Sequence, residues 1–411
     1  MEKHFSEKML LNIILFFTLV SSLFMTQSYF GTDNYGKLYN LHVLVFLVLF
    51  TLISVKSRGC LKFSRLEWYL YEMVTVPYLI MLFISPFLVV WSGSMSLLES
   101  VKSASRPTLM ILSAIMIYHY YGRNAVDVLF YAACLNYSIY IIEFIRNFGI
   151  KGFLNYIVIT NTQSKVLEVH ELTFIFGLFI VYYMWMSEQN HAKVRLAISI
   201  VFCFLGFKRI LAFALMIVFL LYIILKSGVM SEQKFVRFFP KFLFSFCILW
   251  ILISSGDILS EISKVLNFSL MGRDRLARLL EGKYTISPFY VGKGIGYVHR
   301  VLTDYAASIT WYTTTGFHND ILKYYIELGA ILCVVLYLNI TCWNTKRLMM
   351  QASVRAAMLY LFLMTLTLFG WATDNLSTYP NYLVAFHVIL FDLLLNNTQR
   401  FDRSVAESRK L

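Results

Sequence analysis

The sequence predicts an all-α polytopic integral membrane protein, with about 12 transmembrane helices and one large external loop that carries short amphipathic helices. Three observations predict it. Of 411 residues, 59% are hydrophobic and only 14% are charged, where a soluble domain carries about 25% charged residues. The apolar residues fall in blocks of roughly 18–25, the length that crosses about 30 Å of hydrocarbon as a helix. There are 36 Phe and 27 Tyr but only 6 Pro.

In chain order the expected spans are 9–27, 38–55, 67–91, 104–121, 125–147, 168–187, 194–207, 209–226, 237–254, 320–343, 354–372 and 377–395. The first follows KHFSEK with no small-residue cleavage site behind it, so it reads as a retained span rather than a signal peptide. With the N-terminus in the cytoplasm, cytoplasmic segments hold 20 of the 36 Lys and Arg. Seven of the other 16 lie in one long loop, 255–317, and long loops bear little on orientation. Both termini are therefore expected on the cytoplasmic side of a multi-pass membrane protein. Residues 196–225 are apolar except for Lys208-Arg209. As one helix they would run about 45 Å, too long for one crossing without strong tilt. As two they keep every later basic loop inside, and that is the reading taken here. No repeat and no Gly/Ser-rich or Pro-rich linker divides the chain, so 1–411 reads as a single membrane domain with 255–317 external.

The net charge of +13 fits Lys and Arg in cytoplasmic loops better than a nucleic-acid partner. The six cysteines, at 60, 134, 203, 247, 333 and 342, form no CxxC and no pair within one loop. They predict no disulfide and no structural metal. VHELTF (169–174) begins like a zincin helix, but the second histidine is missing. Glu168, His170 and Glu171 stand at an outer helix mouth, where they serve either as packing groups or as contacts to a sugar. No cofactor is expected.

Three segments carry residues suited to chemistry on phosphate and hydroxyl groups. In the external loop, Arg273 follows Gly272 at a helix start, and Arg275 and Arg278 share a face if 272–282 is helical. Guanidinium forks suit phosphate oxygens; the competing reading is a solvated surface helix. VGKGIGY (291–297) lacks the phosphate-loop spacing and reads as a tight turn folding the loop back onto the membrane. Arg209, beside Lys208, stands between two apolar segments. A charge at membrane depth costs about 2.5–3.5 kcal/mol and usually faces a polar cavity, unless the pair simply tops a hairpin in water. The third segment is TTTGFHNDILKYYIELGA, 313–330. If its helix starts near Phe317, then Leu322, Tyr325 and Gly329 share the face of His318. Gly329 then admits a neighbouring helix. A neutral imidazole at such a mouth accepts a proton; the competing reading is an exposed helix cap.

HNDILKYYIELG (318–329) resembles the H-N-x9-G signature of the bacterial O-antigen polymerase (Wzy-type) and O-antigen ligase superfamily. MGRDRLARLL and SPFYVGKGIGY are similar to its external-loop pattern of Gly-Arg, short amphipathic helix, proline and glycine turn. FLGFKRILAFAL (204–215) resembles its upstream arginine segment. The sequence departs from the pattern at Leu332 and at Lys208. The resemblance implies a metal-independent glycosyltransferase acting on undecaprenyl-pyrophosphate-linked glycans among membrane lipids. By the resemblance His318 would be the general base, and Arg209 and Arg273 would hold the pyrophosphate. Lys208, Arg275, Arg278, Asn319, Gly329 and His170 are the supporting candidates beside them. Expected partners are a chain-length regulator and a flippase.

The same motifs serve a polymerase of O-antigen, capsular or exopolysaccharide repeat units and a ligase transferring glycan to lipid A-core. Polymerases are the more varied group, and the expectation is a polymerase. The rival class is a flippase or other transporter. Transporters tend to show repeated halves and midplane charges, and neither is evident in this sequence.

Overall fold

The computed structural model describes residues 47–48, 51, 63–158, 170–186, 191–206, 208–255, 258–265, 273–308 and 316–408. The expected span 9–27 and most of 38–55 lie outside these residues. The helices are α1 (Arg65–Ser92), α2 (Leu97–Tyr121), α3 (Ala125–Val158), α4 (His170–Trp185), α5 (Ala192–Gly206), α6 (Arg209–Lys226), α7 (Glu232–Ser254) and α8 (Ile258–Val265). They continue as α9 (Arg273–Leu279), α10 (Tyr297–Ser308), α11 (Asp320–Leu328), α12 (Ala330–Leu338), α13 (Asn344–Gln351), α14 (Val354–Thr373) and α15 (Pro380–Ser408). Among the described residues there is no strand, only an isolated bridge between Val291 and Gly329.

The protein is a helical membrane protein by length and apolarity of its helices. Among the described residues, five continuous helical runs are long and apolar enough to cross a bilayer: Arg65–Ser92, Leu97–Asn155, Arg209–Lys226, Glu232–Ser254 and Val354–Thr373. The second contains α2, a 3-10 turn at Gly122–Asn124 and most of α3. The expected count of about 12 is therefore met only in part. α4 and α5 are helices where expected but have 16 and 15 residues, about 24 and 22 Å, short of the hydrocarbon thickness. Residues 194–226 do divide in two, with α5 closing at Gly206 and α6 opening at Arg209.

One expected span is broken. The sequence predicts a single helix over 320–343, but α11 stops after nine residues and α12 begins beyond Gly329, whose φ is +81°. At nine residues, α11 is about 14 Å long and cannot cross a bilayer.

Contacts divide the described chain into two compact units. The first takes residues up to Trp68, Leu109–Met216 and Tyr379–Asn396. Its core is aromatic. Phe130 and Tyr137 of α3 meet Tyr183 and Phe176 of α4 with ring centroids 5.4 and 5.8 Å apart, so α3 and α4 run antiparallel. α5 folds back on α4: Phe202 lies 5.0 Å from Phe176, and the Arg195 guanidinium 5.9 Å from the Tyr183 ring. α15 runs parallel to α4, tied at one end by Glu171 to the Asn381 and Tyr382 amides and further along by the Tyr182 hydroxyl to Asp392.

The second unit takes Tyr69–Thr108, Ile217–Thr378 and the residues from Asn397 on. α14 is its most buried helix, with every residue from Ala356 to Ala372 enclosed. Ser353 caps its start by accepting from the Ala356 amide at 3.0 Å. α7 lies parallel to it. The buried residues of α7, Phe235, Val236, Pro240, Leu243, Cys247, Ile251 and Ser254, recur at three- and four-residue spacing and form one stripe. Phe235 stacks on Phe362 and Phe246 on Phe369, at 5.5 and 4.6 Å. Each such pair is worth about 0.5–1.5 kcal/mol beyond the area it buries. α11 packs against both α7 and α14, which brings its first residues to the end of α14.

Candidate active site

The site is built where two short polar segments meet in the second unit. One is Gly316–Asp320, leading into α11. The other is Asp374–Thr378, leaving α14. Asn319 is the N-cap of α11: its Oδ1 accepts from the Leu322 amide at 3.0 Å and from the Trp250 indole nitrogen at 3.3 Å. The helix therefore starts one residue beyond it. His318 lies outside the helix with φ +55°, a conformation rare for a residue with a side chain and found at strained, functional positions.

Asn375 and Asp374 hold that conformation. The His318 amide donates to Asn375 Oδ1 at 2.6 Å, and its Nδ1 faces Asp374 Oδ1 at 3.3 Å, closer than the Asn375 side-chain nitrogen at 3.5 Å. Gly316 makes room for the approach, since a Cβ there would lie 2.3 Å from the Asn375 side-chain nitrogen. The Asp374 side chain is 1% exposed and that of His318 27%. An ionised carboxylate only accepts, so a hydrogen bond to it requires the proton on Nδ1. That leaves Nε2 with its lone pair, on the ring of a part-exposed histidine. A buried acid that fixes the tautomer and orientation of an imidazole is the arrangement of general bases that act on hydroxyl groups.

This corrects the expectation drawn from the sequence. His318 does not share a helical face with Leu322, Tyr325 and Gly329, because it precedes the N-cap and Gly329 ends the helix. Nor does Gly329 admit a neighbouring helix. It admits the glycine turn: the Lys293 and Gly294 amides donate to the Ile326 and Glu327 carbonyls at 3.1 and 2.8 Å, and the Ala330 amide to the Tyr290 carbonyl at 2.9 Å. The fully buried Glu327 accepts from the Gly296 and Val298 amides with one oxygen, at 3.0 and 3.2 Å. VGKGIGY is thus a turn that folds back, and its anchor is the break in the helix.

The other expected residues are placed as follows. Arg273 opens α9, a seven-residue helix that also contains Arg275 and Arg278, and Arg278 is exposed. Lys208 and Arg209 belong to the first unit, where the Lys208 ammonium lies 5.9 Å from the Phe174 ring centroid and Arg209 is exposed at the start of α6. His170 is the first residue of α4. Its neighbour Glu171 is not open to a sugar: it is 4% exposed and caps α15 through the Asn381 and Tyr382 amides. Tyr284, in the loop after α9, donates to the Ser255 carbonyl at 3.3 Å. Burial pushes its phenol up to about 12, so it stays a donor at neutral pH. Among the described residues no three side chains of His, Cys, Asp or Glu gather as metal ligands.

No family model matches this sequence. The comparison with curated proteins likewise finds no match. The case for a function therefore stands on residues and geometry. Sequence reasoning missed Asp374 and Asn375, the partners of His318. The available signal was an Asp-Asn pair at the close of an apolar span, at the end of the span that the orientation count puts on the same side as His318.

Proposed function

We propose that this protein is a metal-independent glycosyltransferase that joins undecaprenyl-pyrophosphate-linked repeat units into a bacterial surface polysaccharide, with His318 as the general base. The single observation that carries the reading is the oriented, part-exposed imidazole of His318 against the buried Asp374 carboxylate. The sequence resemblance over 200–335 supplies the substrate class. In the proposed step His318 Nε2 takes the proton of an acceptor sugar hydroxyl as its oxygen attacks the anomeric carbon. The bond from that carbon to the pyrophosphate oxygen breaks, its electron pair leaving with the lipid pyrophosphate. Direct attack inverts the anomeric centre. Asp374 stabilises the imidazolium that forms. Arg273 is proposed to hold the pyrophosphate and stabilise its added charge, and the resemblance gives Arg209 the same role.

The test in cells is His318→Ala, with expression verified. The expected outcome is loss of long glycan with single repeat units persisting. A normal chain-length distribution in the variant would remove His318 from the chemistry. Loss of all surface repeat units, single ones included, would favour the transporter.

A further inference from the structure

We infer that Asp320 is a positioning residue for His318 and Asp374, acting through the backbone amide of Ser377. The weight of this for catalysis rests on the reading of His318 as a base; the geometry does not.

Asp320 is the first residue of α11 and is fully buried. An acid in a first helical turn is ordinary and usually solvated. Here the side chain reaches the other polar segment. Its Oδ2 accepts from the Ser377 amide at 2.7 Å. The α11 N-terminus is already capped by Asn319, so Asp320 is not needed for that task. Burying a carboxylate is costly unless charge and hydrogen bonds repay it. The charge comes from Lys323, whose Nζ lies 3.6 Å from Asp320 Oδ1 and donates to Ser377 Oγ at 3.3 Å.

Besides the His318–Asp374 contact, two backbone-amide rungs thus join the two polar segments. His318 bonds Asn375, and two residues further along each segment Asp320 bonds Ser377. Asp374 stands next to the upper rung, where its Oδ1 also accepts from the Asn375 amide at 2.8 Å. Besides the upper rung, the turn is held by the Asp374 amide on the Gly370 carbonyl at 2.8 Å and by Lys323 on Ser377 Oγ. The lower rung fixes its backbone at Ser377 and so limits its pivot about Asn375. The His318 Nδ1 contact to Asp374, at 3.3 Å, stands near the long end of a hydrogen bond. A small pivot is enough to lose it, and with it the tautomer that exposes the Nε2 lone pair.

The experiment is NMR of the full-length protein in detergent with selectively 15N-labelled histidine, the His318 signals being assigned by their absence in His318→Ala. In wild type the neutral ring of His318 is expected to carry its proton on Nδ1. Asp320→Asn keeps an oxygen for the Ser377 amide and is expected to keep that tautomer. Asp320→Ala removes the rung, and the proton is expected to move to Nε2, the ordinary preference of an unrestrained imidazole. Should Asp320→Ala not fold, Asp320→Glu, one methylene longer, displaces the turn and gives the same shift. Turnover in Asp320→Ala is expected to fall about tenfold or more with donor KM within about twofold, and to recover to within about threefold in Asp320→Asn. Retention of the Nδ1 proton in Asp320→Ala or Asp320→Glu overturns the inference, as does its loss in Asp320→Asn. The His318→Ala protein separates the two claims. If it polymerises glycan, the reading of the base fails, while the tautomer still decides whether Asp320 positions the ring.

Discussion

Gly292 and Gly329 approach so closely that a Cβ on either would lie 2.5 Å from the backbone nitrogen of the other. Real Cβ atoms do not come that near a backbone atom, so the turn at 291–297 and the break between α11 and α12 require glycine at both positions. The contact joins the loop that follows Arg273 to the C-terminal end of α11, the helix that begins two residues after His318. Gly292→Ala and Gly329→Ala are each expected to destabilise the protein by about 2–4 kcal/mol, through overpacking and, at Gly329, through left-handed strain. Gly282→Ala is the control. Gly282 has φ +74° but nothing within 4 Å of an added Cβ, so only about 1 kcal/mol of strain is expected. Thermal unfolding in detergent checks the order; equal losses at all three positions would contradict the close approach.

Asp374→Asn is expected to keep the fold and lower turnover about 100-fold or more, because a carboxamide no longer enforces the Nδ1 proton or supports the imidazolium. Donor affinity should be unchanged, since Asp374 is buried and touches His318 rather than solvent. Steady-state kinetics with separate donor-binding measurements check the split. A fall in affinity with unchanged turnover would assign Asp374 to binding.

Glu327 Oε1 accepts from two amides at the start of α10. Glu327→Gln retains an acceptor oxygen and is expected to be tolerated. Glu327→Ala leaves a buried amide (Val298) and a part-buried one (Gly296) without this partner and opens a cavity, and is expected to cost about 2–4 kcal/mol. Unfolding midpoints of the two variants decide it, and equal stability of alanine and glutamine variants would remove the clamp.

How much of this was legible in the sequence follows from what the bilayer demands. Apolar length is imposed by lipid, so α1, α6, α7 and α14 stand out as long apolar runs whose few charges lie toward their ends. The split at Lys208-Arg209 was legible for the same reason, because one helix would overshoot the membrane. The break at Gly329 was not, since an apolar run follows it and glycine is common in membrane helices. Only its partner turn, far upstream, shows why the chain breaks there. His318 announced itself as a histidine at a helix mouth. Asp374 did not, because its pairing with His318 is made by α14 packing against α11, a tertiary contact with no local pattern.

Arg209→Lys and Arg273→Lys are each expected to weaken donor binding about tenfold, because lysine offers a point charge where arginine offers two parallel donors. Equilibrium binding of an undecaprenyl-pyrophosphate-linked glycan to purified protein is the measurement. Unchanged affinity and rate in both variants would take them out of the site.

The most direct test of the central claim is transfer by purified protein. Wild type and His318→Ala are supplied with the same lipid-linked glycan, with donor binding measured alongside transfer. The account predicts that His318→Ala binds the donor within about twofold of wild type and loses transfer by about 100-fold or more. Transfer at the wild-type rate by a folded His318→Ala protein would contradict it.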